Sequence, residues 1–153
     1  MWKRLTGKKI EDIEATIRAD IVKYSDEELK FYVGVDSDNR GGKDTYATAI
    51  IMYRVGDGGH GYYMREKEKT IDNKSRLWNE TYKAVTKGMW LNDILKDYGL
   101  KVSEIHADLS DDSDNFSHSM VNACLGYITA MGFEGKVKPY AWAANKCAHR
   151  KSK

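Results

Sequence analysis

The stretch FYVGVDSDNRGG, residues 31–42, sets an aspartate directly after a short apolar run. Residues 30–36 carry apolar side chains on both faces of an extended chain, which predicts a central β-strand. Residues 37–44 combine polar residues with glycines and are predicted to form a loop. Asp36 is therefore expected at the end of its strand, where α/β sheets usually bind ligands.

Two further acids are expected close to Asp36. Asp108 lies in a second predicted strand, residues 101–110, near its end. Glu80 lies on a predicted helix, about 60° from the centre of the apolar stripe at about 100° per residue, so it leans toward the sheet. A carboxylate that faces a core is costly unless it is paired or bound to metal.

A cation would explain three such acids. Carboxylates a few Å apart repel one another, so the pKa of at least one should rise. Oxygen ligands favour Mg²⁺ or Mn²⁺ over zinc. Two such ions about 4 Å apart can activate water and stabilise the leaving oxygen of a phosphodiester. Asp36, Glu80 and Asp108 are therefore predicted to bind metal and to be catalytic.

The rest of the chain predicts a mixed sheet with helices on its faces. Isoleucines from Ile10 onward recur at helical spacing and predict an amphipathic helix that ends near Tyr24. A long helix is expected from about Asn73 to Tyr98, with Gly99 as its C-terminal cap. The other predicted elements are strands at 45–55 and about 62–70, a helix to about Met131, a strand at 135–140 and a final helix at 141–151.

This order, β-β-β-α-β-α-β-α after an N-terminal helix, together with the three acids resembles the ribonuclease-H-like superfamily. That superfamily includes ribonuclease H, Holliday-junction resolvases, transposases and exonucleases. The resemblance implies a five-stranded mixed sheet flanked by helices and metal-dependent hydrolysis of DNA or RNA. Four motifs further resemble a bacterial and phage branch, the YkuK-type proteins: GVDSD (34–38), RLWNE (76–80), IHADL (105–109) and KPYAWAA (138–144).

The resemblance also implies a fourth metal-binding and catalytic residue on the last helix. His149, in the tripeptide AHR, stands where the narrower branch has an aspartate, and some resolvases of the superfamily use histidine there. Basic residues near the expected site are predicted to contact phosphates. They are Arg40, Lys146, Arg150 and Lys151.

Each of these residues also has a simpler interpretation. Asp36 and Asp108 are suited to capping a turn or a helix. Glu80 is suited to an exposed ion pair with Arg76 or Lys83 at helical spacing. His149 is equally compatible with an ordinary surface position, and the Arg40 segment with a flexible turn.

Bulk composition sets broad limits. A chain of 153 residues with 41% apolar and 31% charged residues fits a globular protein with one main core. We expect an N-terminal helical extension over residues 1–29 and the ribonuclease-H-like domain over residues 30–153. Cys124 and Cys147 lack metal-ligand spacing and are expected as reduced thiols. No apolar run approaches the roughly 18 residues of a membrane span, so a cytoplasmic protein is expected.

Three functions remain open at this level. The first is a nuclease with Mg²⁺ or Mn²⁺ as cofactor and nucleic acid as partner. The second is a catalytically inactive module that binds nucleic acid or protein, with His149 marking a degraded site. The third is an assembly or regulatory protein, because the net charge is only +2. The substrate stays undetermined, and resolution of a junction would require a homodimer.

Overall fold

The structure is a computed structural model that describes residues 1–109, 115–138, 140–143 and 147, with the backbone alone for residues 115–118. Within these residues the chain forms one seven-stranded sheet in the order β2-β1-β5-β4-β3-β6-β7. The strands are β1 (Trp2–Arg4), β2 (Lys9–Ile10), β3 (Leu29–Arg40), β4 (Lys43–Arg54), β5 (Gly58–Lys69), β6 (Val102–Ala107) and β7 (Gly135–Lys136). The helices are α1 (Ile13–Lys23), α2 (Asn73–Leu95) and α3 (Asn115–Ala130).

The pairing of the strands confirms the predicted mixed α/β sheet. Strands β3, β4 and β5 form an antiparallel meander. Strand β6 then runs parallel to β3, and β7 runs parallel to β6. The long helix is also as predicted: α2 continues into a 3-10 turn at Lys96–Tyr98 and is capped by Gly99 at a φ of 69°.

The N-terminal segment differs from the prediction of a helix alone and raises the strand count from five to seven. Strands β1 and β2 form a small antiparallel pair, and β1 pairs with β5. The Asp12 side chain accepts a hydrogen bond of 3.0 Å from the backbone of Ala15. This N-cap starts α1 at Ile13 and leaves Ile10 in β2. The division into residues 1–29 and residues 30–153 stays a prediction.

The predicted loop at residues 37–44 is wrong, because β3 continues to Arg40. Arg40 pairs with Lys43 across a two-residue turn. Gly41 and Gly42 hold φ values of 58° and 76°, which glycine adopts without steric cost. Asp36 therefore lies inside its strand. The element that ends at this level is β6, whose last pair with β3 is Val35 with Ala107.

Side chains alternate across the sheet and divide it into two faces. Phe31, Val33 and Val35 point toward α1, α2 and α3 and belong to the main core; we call this the helix face. Asp36 and its register partner Ala47 point the other way, to what we call the opposite face. There Ala47 and Ala49 contact Cys147. The chain thus covers both faces of β4 near the level of Asp36.

The predicted final helix falls mostly outside the described residues, as do residues 110–114. Within the described part of the chain, no helix is both long and apolar enough to cross a membrane.

Candidate active site

Asp36 and Asp108 lie side by side on neighbouring parallel strands. The last recorded pair is Val35 with Ala107, and each aspartate is the next residue of its chain. Neighbouring strands are about 4.8 Å apart, so the two backbones are close at this point. Asp36 is 5% exposed, and the Asp108 side chain is 13% exposed. The parallel register therefore brings together two acids that are 72 residues apart in sequence.

Glu80 approaches the same region from α2. It is 5% exposed, which confirms that this carboxylate leans toward the sheet. Its Oε1 atom accepts a hydrogen bond of 2.5 Å from the Ser37 hydroxyl. Its Oε2 atom is buried and has no hydrogen-bond partner among the described residues. One oxygen of a buried carboxylate thus lacks the partner that burial normally requires.

The pKa of the Glu80 carboxyl depends on its burial and on the groups around it. Burial raises this pKa well above its usual range, and the charges of Asp36 and Asp108 raise it further. The hydrogen bond from Ser37 and the charge of Arg76 oppose the rise. The three acids therefore interact electrostatically, as their positions in the sequence predicted.

The three carboxylates do not form a closed metal site in this conformation. Within the described residues, no group of three His, Cys, Asp or Glu side chains is close enough to hold a metal ion. Asp108 instead has its Oδ1 atom 3.1 Å from the Lys138 ammonium group, and Glu80 is bonded to Ser37. Asp108 and Glu80 thus each have a separate polar partner in the fold.

The donor chemistry nevertheless fits Mg²⁺ or Mn²⁺. The available atoms are carboxylate oxygens, which these hard cations prefer. The buried Glu80 Oε2 atom has an open acceptor position among the described residues. Asp36 and Asp108 act on the Glu80 carboxyl through their charges, so the three acids are near enough to share the field of one cation.

Arg40 is the only predicted phosphate contact that falls within the described residues. Its guanidinium Nε lies 2.7 Å from Asp38 Oδ2, and its side chain is 68% exposed. By strand alternation both residues lie on the opposite face with Asp36. His149, Lys146, Arg150 and Lys151 lie outside the described residues.

His106 is a packed residue rather than a free ligand. It is fully buried, and its Nδ1 atom accepts a hydrogen bond of 3.1 Å from the backbone of Ala143. Its Nε2 atom donates to Glu104 over 2.8 Å. Burial lowers its pKa, against the opposing effect of Glu104, so the neutral form is favoured. This histidine joins β6 to the segment that follows β7.

The profile of the family described as "Ribonuclease H-like" matches residues 11–153. The chain belongs to the ribonuclease H-like family. One solved structure similar to this ribonuclease H-like chain is the RNase H1 of the halophilic archaeon Halobacterium salinarum NRC-1, with 15% identity and a TM-score of 0.36. That match covers 80% of this chain and 98% of the archaeal one. A search of curated proteins found no match.

Two contacts of this ribonuclease H-like site were not predicted from sequence. The hydroxyl of Ser37 donates a hydrogen bond to Glu80. The ammonium group of Lys138 lies beside Asp108. The backbone of Lys138 also donates a hydrogen bond of 2.9 Å to the carbonyl of Leu109. Lys138 comes just after β7, and β7 runs parallel to β6, the strand that precedes Asp108. This position is the feature from which the contact with Asp108 could have been predicted.

Proposed function

We propose that this protein is a metal-dependent nuclease that hydrolyses phosphodiester bonds of DNA or RNA. The observation that carries the proposal is Glu80: a buried carboxylate with one open oxygen, whose pKa is raised by burial and by Asp36 and Asp108. Such a group is costly to the fold, and a cation held among three acids would offset that cost. Membership of the ribonuclease H-like family agrees with a fold of nuclease type.

In this proposal Asp36, Glu80 and Asp108 hold Mg²⁺ or Mn²⁺, and His149 completes the site. The ions, when bound, supply activation of water and stabilisation of the departing oxygen. Ser37 orients Glu80 through its hydroxyl. Lys138 offsets negative charge beside Asp108.

The finer assignments belong to the proposal as well. The motifs around Asp36, Glu80 and Asp108 support the YkuK-type branch of the superfamily. Arg40, Lys146, Arg150 and Lys151 are proposed to contact phosphates. A homodimer is proposed only for the case in which the substrate is a four-way junction, because two cuts are then needed.

The test is cleavage of a labelled panel of RNA–DNA hybrid, single-stranded DNA, single-stranded RNA, duplex DNA and a four-way junction. Each substrate is incubated with Mg²⁺, Mn²⁺ or EDTA. We expect metal-dependent cleavage by the wild-type protein and a loss of at least about 100-fold in Asp108→Asn, since a metal-site charge acts on the reacting centre. Asp26→Asn, which neutralises an exposed aspartate in the α1–β3 loop, is the matched control.

One observation favours the binding module as a second candidate: the described acids do not form a closed three-ligand group. A module of this kind would bind nucleic acid equally well with Mg²⁺ and with EDTA and would cleave nothing in the panel. Cleavage that persists undiminished in Asp108→Asn would contradict the nuclease mechanism as proposed.

A further inference from the structure

Strand β5 ends in the sequence REKEK, residues 65–69, in which the sign of the charge alternates. Side chains on a strand alternate between faces, so Arg65, Lys67 and Lys69 share one face and Glu66 and Glu68 share the other. The register fixes which face is which. Arg65 pairs with Ala47, and Ala47 pairs with Asp36. The three cations therefore lie on the opposite face: Arg65 shares the row of Asp36, and Lys67 and Lys69 follow in the next two rows, those of Asp38 and Arg40.

Strand β4 extends this group of cations. Lys69 pairs directly with Lys43, and Lys43 pairs directly with Arg40. We use the name basic strip for Lys43, Arg65, Lys67 and Lys69, all of which are exposed. Thr45, between Lys43 and Ala47 on the same face, is uncharged.

One pair within the basic strip opposes the stability of the sheet. Like charges directly across a strand pair are destabilising, and Lys43 with Lys69 is such a pair. The acids of β5 do not relieve this repulsion, because they point to the helix face. There the Lys83 ammonium contacts Glu68 and lies 3.5 Å from Glu66. Two lysines directly opposite each other, which folding does not favour, indicate an anionic partner.

The geometry points to the phosphates of a nucleic-acid backbone as that partner. We propose that the basic strip holds the backbone of the substrate beside Asp36 and Asp108; this inference rests on the proposed nuclease function. Arg65 lies two strands from Asp36, about 10 Å away, and alternate residues along β5 are about 7 Å apart. The strip thus leads from the carboxylates toward the β3–β4 turn, with repeated positive charge along the way.

The composition of the strip also indicates how the backbone is held. Its side chains and Thr45 include no aromatic ring. Proteins that bind single-stranded nucleic acid commonly stack its bases on aromatic side chains. Lysines, in contrast, contact phosphates, and these contacts do not depend on the base sequence. We therefore expect the strip to bind nucleic acid through charge, independently of base sequence.

The test is the salt dependence of binding to two unrelated 20-base-pair DNA duplexes, measured in EDTA. We compare wild type with the triple variant Lys43→Gln/Lys67→Gln/Lys69→Gln. Each phosphate contact contributes about 0.9 to the slope of log K against log salt, so the slope should fall by about 2.7. Both duplexes should give the same fall. The control Lys8→Gln/Lys30→Gln/Lys101→Gln removes three exposed lysines outside the strip and should leave the slope unchanged.

The outcomes separate this inference from the proposed function. If wild type cleaves its substrate but the triple variant keeps the wild-type slope, the lysines only protect an exposed strand edge, and the inference is overturned while the nuclease stands. If the slope falls but wild type cleaves nothing, the nuclease is overturned and the strip remains a binding surface. Thermal unfolding of the triple variant should occur at or above the wild-type temperature, because a like-charge pair is removed.

Discussion

Glu80 combines three properties that rarely occur together in a purely structural residue. It is 5% exposed, it has an oxygen with no hydrogen-bond partner among the described residues, and two other acids raise its pKa. A stable core would place an uncharged side chain here. The cost of this carboxylate in the folded state is therefore the most direct measure of whether the site is built for a cation.

We predict that Glu80→Gln stabilises the metal-free protein at neutral pH. The folded-state pKa of Glu80 lies above its ordinary value of 4.5, so the folded chain holds a proton that the unfolded chain releases. The free energy of unfolding therefore falls as the pH rises from 4.5 through the folded pKa. Glutamine cannot ionise and avoids this loss, so we expect a gain of roughly 1–3 kcal/mol at pH 7.5 and little at pH 4.

Urea denaturation in EDTA at the two pH values measures this difference. Glu28→Gln, which changes an exposed glutamate, is the control and should show no such pH-dependent gain. A Glu80→Gln protein that loses the same stability at both pH values would show that the carboxylate is well accommodated without a cation.

At the scale of single elements, β3 shows where sequence patterns succeed and fail. The apolar run to Val35 predicted a central strand, and the strand is central. The pattern stops at Asp36, yet backbone pairing with β4 continues to Arg40. Residues 37–40 are polar on both faces of the strand, so hydrophobicity alone does not identify them as part of it. The pairing of β3 with β4 here depends on the turn at Gly41 and Gly42. A local sequence pattern identifies these residues only as a loop.

In other elements too, features set by the local sequence were predicted, whereas features set by contacts between distant segments were not. The helical period placed Glu80 on the buried side of α2, because 3.6 residues per turn is a local property. Strand β1 has only three residues and exists because the edge of β5 accepts it, which no local pattern predicts. The juxtaposition of Asp36 with Asp108 was expected from strand ends. Its actual cause is the parallel register of β3 with β6.

We predict that Gly42→Ala weakens the β3–β4 hairpin. Gly42 has a φ of 76°, and no atom lies within 4 Å of the position that a Cβ would take. The cost is therefore one of backbone conformation, about 1–2 kcal/mol for a residue with a side chain. The same change at Gly126, in α3 and equally free of contacts, should instead stabilise by about 0.5–1 kcal/mol.

Urea midpoints of the two variants test this pair of predictions. Opposite signs at Gly42 and Gly126 support a turn held by positive φ. Equal shifts in the same direction would show that Gly42 does not need that conformation in solution.

At the scale of the whole molecule, the two faces of the sheet near Asp36 differ in charge. The helix face carries Glu66 and Glu68, which Lys83 contacts. The opposite face carries Asp36, Asp38 and the basic strip. Nucleic acid on this face would meet the basic strip and Asp36 without meeting the acids of β5. A cation among the carboxylates would complete that arrangement by removing the negative charge nearest to the phosphates.

We therefore predict that Mn²⁺ stabilises the whole fold through this site. A ligand that binds only the folded state adds about 2.7 kcal/mol at 100 times its Kd. For a chain of 153 residues this corresponds to a rise in Tm of about 5–10 °C. Asp108→Asn removes one ligand and should abolish most of the rise, whereas Asp26→Asn should keep it. Differential scanning calorimetry with and without Mn²⁺ measures the shift independently of cleavage. An equal rise in wild type and Asp108→Asn would place the ion elsewhere on the molecule, and the three carboxylates would then need another explanation for their shared position.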